Sequence, residues 1–90
     1  MAEYRLLVKK SAAKEIEAIG PKRDRQHIVR RIRALGTEPR PAGCEKLAGY
    51  STLYRVRQGQ YRVIYTVSDA ERIVEVIKVG HRREVYRSAP

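Results

Sequence analysis

The segment YRVRQGQYRVIY, residues 54–65, constrains the fold more than any other part of the chain. Apolar and polar side chains alternate along it, which is typical of β-strands that bury one face. The glycine near its centre allows a tight turn, so the segment predicts a β-hairpin. Its polar positions carry Arg55, Arg57 and Arg62, where a solvent-facing strand usually carries a mixture of polar side chains.

The position of the turn decides which side chains share a face of this hairpin. A two-residue turn at residues 58–59, compatible with type I′ geometry, would pair Arg55 with Arg62 and leave Arg57 on the same face. Ile64 would be the one apolar side chain there. A three-residue loop without a bulge would instead bury an arginine or expose the apolar stripe. We therefore favour the two-residue register or a bulged equivalent, which gives the other face these side chains: Tyr54, Val56, Tyr61, Val63 and Tyr65.

Two helices are predicted before the hairpin. The first covers residues 12–19. The Ser11 hydroxyl can N-cap it, and the Gly20-Pro21 pair ends it. The second covers residues 22–35 and has an apolar stripe at helical spacing. The stripe consists of Ile28, Val29, Ile32 and Leu35.

Strands are predicted at residues 4–8, 53–57, 60–67 and 72–79, with a short strand near 46–47. The element order β-α-α-β-β-β favours one α+β domain covering residues 1–90. In this fold a helical hairpin packs on one face of a small, mostly antiparallel sheet. The other face of the sheet is expected to be open to solvent.

The charge of the chain points to a polyanionic partner. Twenty Lys and Arg residues oppose ten Asp and Glu residues, so the formal net charge is +10. A basic domain of this size most often binds nucleic acid. The single cysteine, Cys44, excludes an intrachain disulfide and favours a cytoplasmic location. No membrane segment, cofactor or set of metal ligands is predicted from the sequence.

Three arginines on one face of a hairpin repel one another unless an anion lies among them. A phosphodiester suits such a site, because guanidinium groups pair with phosphate oxygens. The alternative is that each arginine pairs with an acid nearby in the sequence. Few acids are available for this: Asp69, Glu71, Glu75 and Glu84. We therefore favour an anion site.

Three motifs together resemble the RelE branch of the RelE/ParE toxin superfamily: YRVRQGQYRVIY, PRPAGCEKLAG (39–49) and VIKVGHRREVY (76–86). The resemblance spans residues 4–87. It implies a microbial RNase-like fold and endonucleolytic cleavage of mRNA in the ribosomal A site, without a metal. It also implies a cytoplasmic toxin held by a RelB-like antitoxin, whose complex binds operator DNA. From the charge of the toxin we expect an acidic antitoxin.

The resemblance also implies site residues. Arg55 and Arg57 fall at the basic positions of the first hairpin strand, and Arg62 follows the tyrosine of the second. Arg82 follows the last strand, and Tyr86 closes the tail. We expect Arg62 and Arg82 to stabilise charge on the reacting phosphate and Arg55 to bind a flanking phosphate. Tyr86 would stack on a base or orient the nucleophile, or else pack the tail on the sheet.

The identity of the proton-transfer groups is open from the sequence. Arg57 occupies the position of the family's general base, but arginine side chains stay protonated in proteins. His81 is a candidate acid or base, because histidine commonly titrates near neutrality, or it is a turn residue. Lys46 and Arg83 are further candidates for RNA binding. Two alternatives remain: a ParE-like toxin that binds DNA gyrase and cuts no RNA, and an RNA-binding module without activity.

Overall fold

The structure, a computed structural model, describes residues 3–47, 49 and 52–81 and contains two helices and five strands in these ranges. In chain order these are β1 (Arg5–Val8), α1 (Lys10–Glu17), α2 (Lys22–Leu35), β2 (Glu45–Lys46), β3 (Leu53–Gln58), β4 (Tyr61–Ser68) and β5 (Ile73–His81). The strands form one sheet in the order β1-β5-β4-β3-β2. β1 is parallel to β5, and the other neighbours are antiparallel. The predicted α+β fold with a mostly antiparallel sheet is confirmed.

The main core lies between the helices and one face of the sheet. The apolar stripe of α2 supplies Ile28, Ile32 and Leu35, which are all buried, and α1 supplies Ala12. Residues of alternate positions on the central strands pack against them, as the period-two pattern predicts. The buried sheet residues of this core are Val56, Val63, Tyr65, Val67, Val74, Val76 and Val79.

The opposite face of the sheet is not fully open to solvent, so that prediction is partly wrong. Leu53 and Ile64 are buried there, with Leu47 and Ile77 packed against them. Ile64, the apolar exception on the arginine face, is therefore a member of a small second cluster. Arg62 is also buried, with 4% of its surface exposed. This cluster forms an apolar border beside the arginines.

α1 is joined to β5 at both ends. The Lys9 N–H donates to the Val76 carbonyl at 2.9 Å, and Lys9 is also the N-cap residue of α1. Near the other end, the Glu15 carboxylate accepts a hydrogen bond from the Val79 N–H at 2.9 Å. The predicted cap, Ser11, is wrong: it lies within the first turn. The chain passes from β1 through Lys9, which is bonded to β5, directly into α1 at Lys10. Neither helix of the described chain is long and apolar enough to span a bilayer.

The hairpin turn lies at residues 59–60, one residue later than predicted. Arg57 is opposite Arg62, and Arg55 is opposite Ile64. The partner strand is therefore displaced by two residues from the predicted register. Since side chains alternate with period two, this displacement changes each pair but not the face on which a side chain lies. The three arginines still share one face.

We expect the Gly59→Ala variant to lose about 1–2 kcal/mol of stability, because a side chain is strained in the left-handed region. Gly59 has a φ of +61°, which suits the first position of a type II′ turn. An added Cβ would meet no atom within 4 Å at Gly59 or at Gly20. Gly20→Ala is therefore the matched control, and urea denaturation measures both. Equal losses in the two variants would contradict the assignment of strain to Gly59.

Candidate nucleic-acid interface

An open cleft of about 400 Å³ lies where α2, β2, β3 and β4 meet. Four arginines contribute to its wall, so that positive charge dominates it. Its lining residues are Arg31, Gly43, Cys44, Glu45, Arg55, Arg57 and Arg62. A cleft with this lining can accept a phosphate group, because guanidinium groups form paired hydrogen bonds with phosphate oxygens.

The hairpin brings three of these arginines together. Arg57 is directly opposite Arg62 in the β3–β4 pairing, and Arg55 lies two residues earlier on the same face. Arg57 is exposed, whereas Arg62 lies beneath the surface. The alternation in the sequence thus predicted this grouping, although it placed the turn one residue early.

Glu45 is part of the cleft and was not identified from the sequence. It is opposite Arg55 in the β2–β3 pairing, and its carboxylate forms an ion pair with the Arg55 guanidinium. The hydrogen bond from Arg55 lowers the pKa of Glu45, and the charges of Arg55, Arg57 and Arg62 lower it further. Glu45 is therefore a carboxylate anion within the arginine cleft. Its strand contains two residues and shows no periodicity, so no local pattern in the sequence identified it.

Arg31 is the second cleft residue that the sequence did not reveal. It lies on α2 between two buried residues of the apolar stripe, Ile28 and Ile32. Its Nε atom is buried and has no hydrogen-bond partner in the described part of the chain. Such an unpaired buried donor is uncommon in folded proteins. An anion in the cleft is one group that could satisfy it.

The loop that leads into the cleft is anchored by polar contacts. Both terminal nitrogens of Arg40 bind the Asp69 carboxylate, at 2.9 and 3.2 Å. The Tyr4 hydroxyl donates to the same carboxylate at 2.6 Å. The hydrogen bonds from Arg40 and Tyr4 lower the pKa of Asp69, and those from Arg40 have the larger effect.

A second contact holds the same loop. The Tyr65 hydroxyl donates to the Pro39 carbonyl at 2.7 Å, and burial raises the pKa of Tyr65. The loop that carries Gly43 and Cys44 is thus attached to the sheet before it enters β2.

His81 does not lie with the arginines. It ends β5 and is opposite Tyr61, whose ring it meets edge-on with 5.9 Å between the centroids. Its Nε2 atom is 3.2 Å from the Gln60 Oε1. Together with Asp24 and His27 of α2, it lines a second cleft on the helix side of the sheet. A direct role for His81 at a phosphate held by the arginines is not supported by this position.

Of the remaining predicted residues, the structure describes Lys46, which lies outside the arginine group. Lys46 is exposed and lies opposite Tyr54, one position along β2 from Glu45. Alternation along the strand therefore directs it to the other face. Arg82, Arg83 and Tyr86 lie outside the described residues.

Comparison with known protein families identifies the group to which this fold and cleft belong. The model of the ParE toxin of type II toxin–antitoxin systems (parDE) matches residues 6–86. The chain belongs to the RelE/ParE toxin superfamily. No curated protein sequence matches it significantly.

Solved structures of RelE toxins are similar to this chain over most of its length. A chain of the archaeal RelE–RelB complex from Pyrococcus horikoshii OT3 is 31% identical, with a TM-score of 0.78, over 91% of this chain and 97% of that one. The isolated E. coli RelE toxin is 31% identical, with a TM-score of 0.75, over 96% and 94%. A chain of the intact E. coli RelBE toxin–antitoxin complex is 30% identical, with a TM-score of 0.74, over 87% and 95%. This chain is thus a toxin of a toxin–antitoxin pair with a RelE-like fold.

Proposed function

We propose that this toxin is an endoribonuclease that cleaves mRNA in the A site of the ribosome and thereby blocks translation. The observation that carries the proposal is the arginine cleft, which joins Arg55 and Arg57 of β3 with Arg62 of β4. Its charge and its position on a RelE-like fold both favour an RNA phosphate as the ligand. The antitoxin is then an acidic, RelB-like protein that binds the toxin and carries it to operator DNA.

The chemistry would use the 2′-hydroxyl of the RNA as the nucleophile. This oxygen attacks the adjacent phosphorus in line with the departing 5′-oxygen, and negative charge accumulates on the phosphate oxygens. Guanidinium groups that are already in position stabilise that charge more in the transition state than in the ground state. Arg62 is the strongest candidate for this role, because its buried position restricts its motion and reduces screening by water.

The ribosome would supply alignment. The arginine cleft provides charge stabilisation, but cleavage also needs the 2′-oxygen, the phosphorus and the 5′-oxygen in line. Orientation of this kind contributes several kcal/mol, up to about 7–11 kcal/mol in well-aligned intramolecular reactions. A small toxin with an open cleft would obtain it from mRNA that the ribosome holds and distorts. Rapid cleavage of naked RNA by the purified protein would contradict this dependence.

Gyrase binding is the second candidate, since the family model that matches the chain describes ParE toxins. The solved structures at 30% identity or more favour the RNase, because they are RelE toxins. The two functions predict different damage in cells. A gyrase toxin would cause DNA breaks and leave mRNA intact, whereas the RNase would cut mRNA and leave DNA intact.

The purified toxin, added to ribosomes programmed with a defined mRNA, is expected to cut within the A-site codon. Primer extension maps the new 5′ ends, and the same mRNA without ribosomes is the control. Gyrase supercoiling is assayed with the same protein preparation. No cut on the ribosome, together with inhibited supercoiling, would overturn the RNase proposal in favour of the gyrase one.

A further inference from the structure

We propose that Glu45 is the general base that accepts the proton of the attacking 2′-hydroxyl. The inference rests on the proposed RNase function and names a catalytic group that the arginines themselves cannot provide. Glu45 lies within the cleft, and its carboxylate reaches the guanidinium of the neighbouring strand. A phosphate bound by the same arginines would come next to this carboxylate.

The position of Glu45 meets the geometric requirement for a base. β2 pairs with β3 so that Glu45 is opposite Arg55, two residues from Arg57 on the same face. Its side chain is 63% exposed, whereas that of Arg55 is 19% exposed. The carboxylate is therefore accessible to RNA at the rim, beside the Arg55 guanidinium, which lies deeper. A base must be within hydrogen-bond reach of the proton that it removes, and the rim of a phosphate site provides that reach.

The other described groups of the cleft do not suit the role. Arg31, Arg55, Arg57 and Arg62 are guanidinium groups, which remain protonated in proteins. Cys44 packs against the main core, on the helix side of the sheet. Among the described residues that line the arginine cleft, Glu45 is the one carboxylate.

The ion pair with Arg55 does not prevent this role. The arginines lower the pKa of Glu45, so the carboxylate is ionised and ready to accept a proton before RNA arrives. A phosphodiester among the same arginines shares their hydrogen bonds and adds a negative charge close to the carboxylate. Both effects raise the proton affinity of a carboxylate. Glu45 thus becomes a stronger base when the substrate is bound.

In the cleavage step, the 2′-O–H proton moves to a Glu45 carboxylate oxygen while the 2′-oxygen forms a bond to phosphorus. The bond from phosphorus to the 5′-oxygen breaks, and the 5′-oxygen takes a proton from solvent. The products are a 2′,3′-cyclic phosphate and a 5′-hydroxyl, and the carboxylic acid returns its proton to water. The arginines hold the charge of the phosphate throughout.

The test compares Glu45→Gln with wild type in single-turnover cleavage of mRNA on programmed ribosomes. The amide keeps the size of the side chain and a hydrogen-bond acceptor for Arg55 but cannot act as a base at neutral pH. We expect cleavage to be at least about 100-fold slower, which is the usual contribution of a general base. Binding to ribosomes that carry a non-cleavable mRNA, with a 2′-deoxynucleotide at the cut, should stay within about threefold of wild type. Glu17→Gln, at an exposed position of α1, is the control for the loss of one negative charge.

A second variant separates a base from a structural contact. Glu45→Ala removes the carboxylate and leaves space, so added sodium formate is expected to restore part of the cleavage rate. Sodium chloride at the same concentration should not. A purely structural role for Glu45 would not be restored by a small carboxylate.

If Glu45→Gln cleaves at the wild-type rate or faster, Glu45 is a counter-charge that the phosphate displaces, and the base assignment is wrong. Loss of binding in proportion to the rate, or no rescue by formate, would overturn it as well. If wild-type protein does not cut on the ribosome, the proposed RNase function fails and the base role with it. Normal wild-type cleavage with an active Glu45→Gln variant overturns the base role alone.

Discussion

Replacing Arg62 with alanine is expected to slow mRNA cleavage on the ribosome by about 10²–10³-fold, the usual effect of removing one pre-positioned group that stabilises transition-state charge. Arg62 is 4% exposed and directly opposite Arg57. Its charge therefore acts with little screening by water, and its position changes little when substrate binds. Lysine at the same position should recover only part of the rate, because an ammonium group cannot bind two phosphate oxygens as a planar fork does.

Single-turnover cleavage measures this effect, and circular dichroism with urea denaturation confirms that the variant is folded. Arg5→Ala is the matched control, because Arg5 is exposed on β1, at the opposite edge of the sheet from β2. It removes one positive charge without touching the cleft. Arg57→Ala gives a second test at an exposed cleft position, where folding is not at risk. Wild-type rates in both cleft variants would show that the arginines do not serve cleavage.

Replacing Ile28 with alanine is expected to lower the free energy of unfolding by about 3 kcal/mol, within the range of about 2–5 kcal/mol for such core truncations. Ile28 is fully buried near the middle of α2 and belongs to the main core cluster. Alanine would lose the transfer free energy of the removed methylene and methyl groups and leave a cavity that the helix and sheet cannot fully close. This loss is large for a domain whose total stability is expected to be about 5–15 kcal/mol.

Urea denaturation at neutral pH measures the loss. Val29→Ala is the neighbouring control, because Val29 is only half-buried on the outer side of α2. We expect it to cost less than about 1 kcal/mol, since its side chain is already partly in water in the folded state. The Ile28 variant should still cut mRNA under conditions where it is folded, because Ile28 lies in the core and not in the cleft. A loss at Val29 as large as at Ile28 would mean that the packing of α2 is misassigned.

Local patterns predicted the elements in which apolar side chains recur at a regular spacing. α2 runs over Lys22–Leu35 as expected, because its apolar residues recur at helical spacing and Pro21 and Gly36 bound it. The hairpin pattern likewise predicted the arginine face. The exact turn was not predictable in the same way, because Gly59 can occupy either central position of a two-residue turn. Its position depends on which residues of β4 pair with β3 and β5.

Two other residues of the cleft, Glu45 and Arg31, were less predictable than the hairpin arginines. β2 contains two residues, too few to show a period, so the contact between Glu45 and Arg55 gave no signal in the sequence. Arg31 lies on a helix with many arginines, and nothing local distinguishes it from the exposed ones. His81 is adjacent in sequence to a predicted site residue, but the strand directs it to the helix side, where it is opposite Tyr61.

Two helices, a basic hairpin face and an apolar core were predictable for this chain, because each of these follows from side-chain spacing within a single segment. The packing of the segments against one another brings Glu45 and Arg31 to the hairpin arginines, places His81 elsewhere, and buries Arg62. Spacing within a segment decides which face a side chain occupies, but the partner that it meets there depends on pairing and packing between segments far apart in the chain.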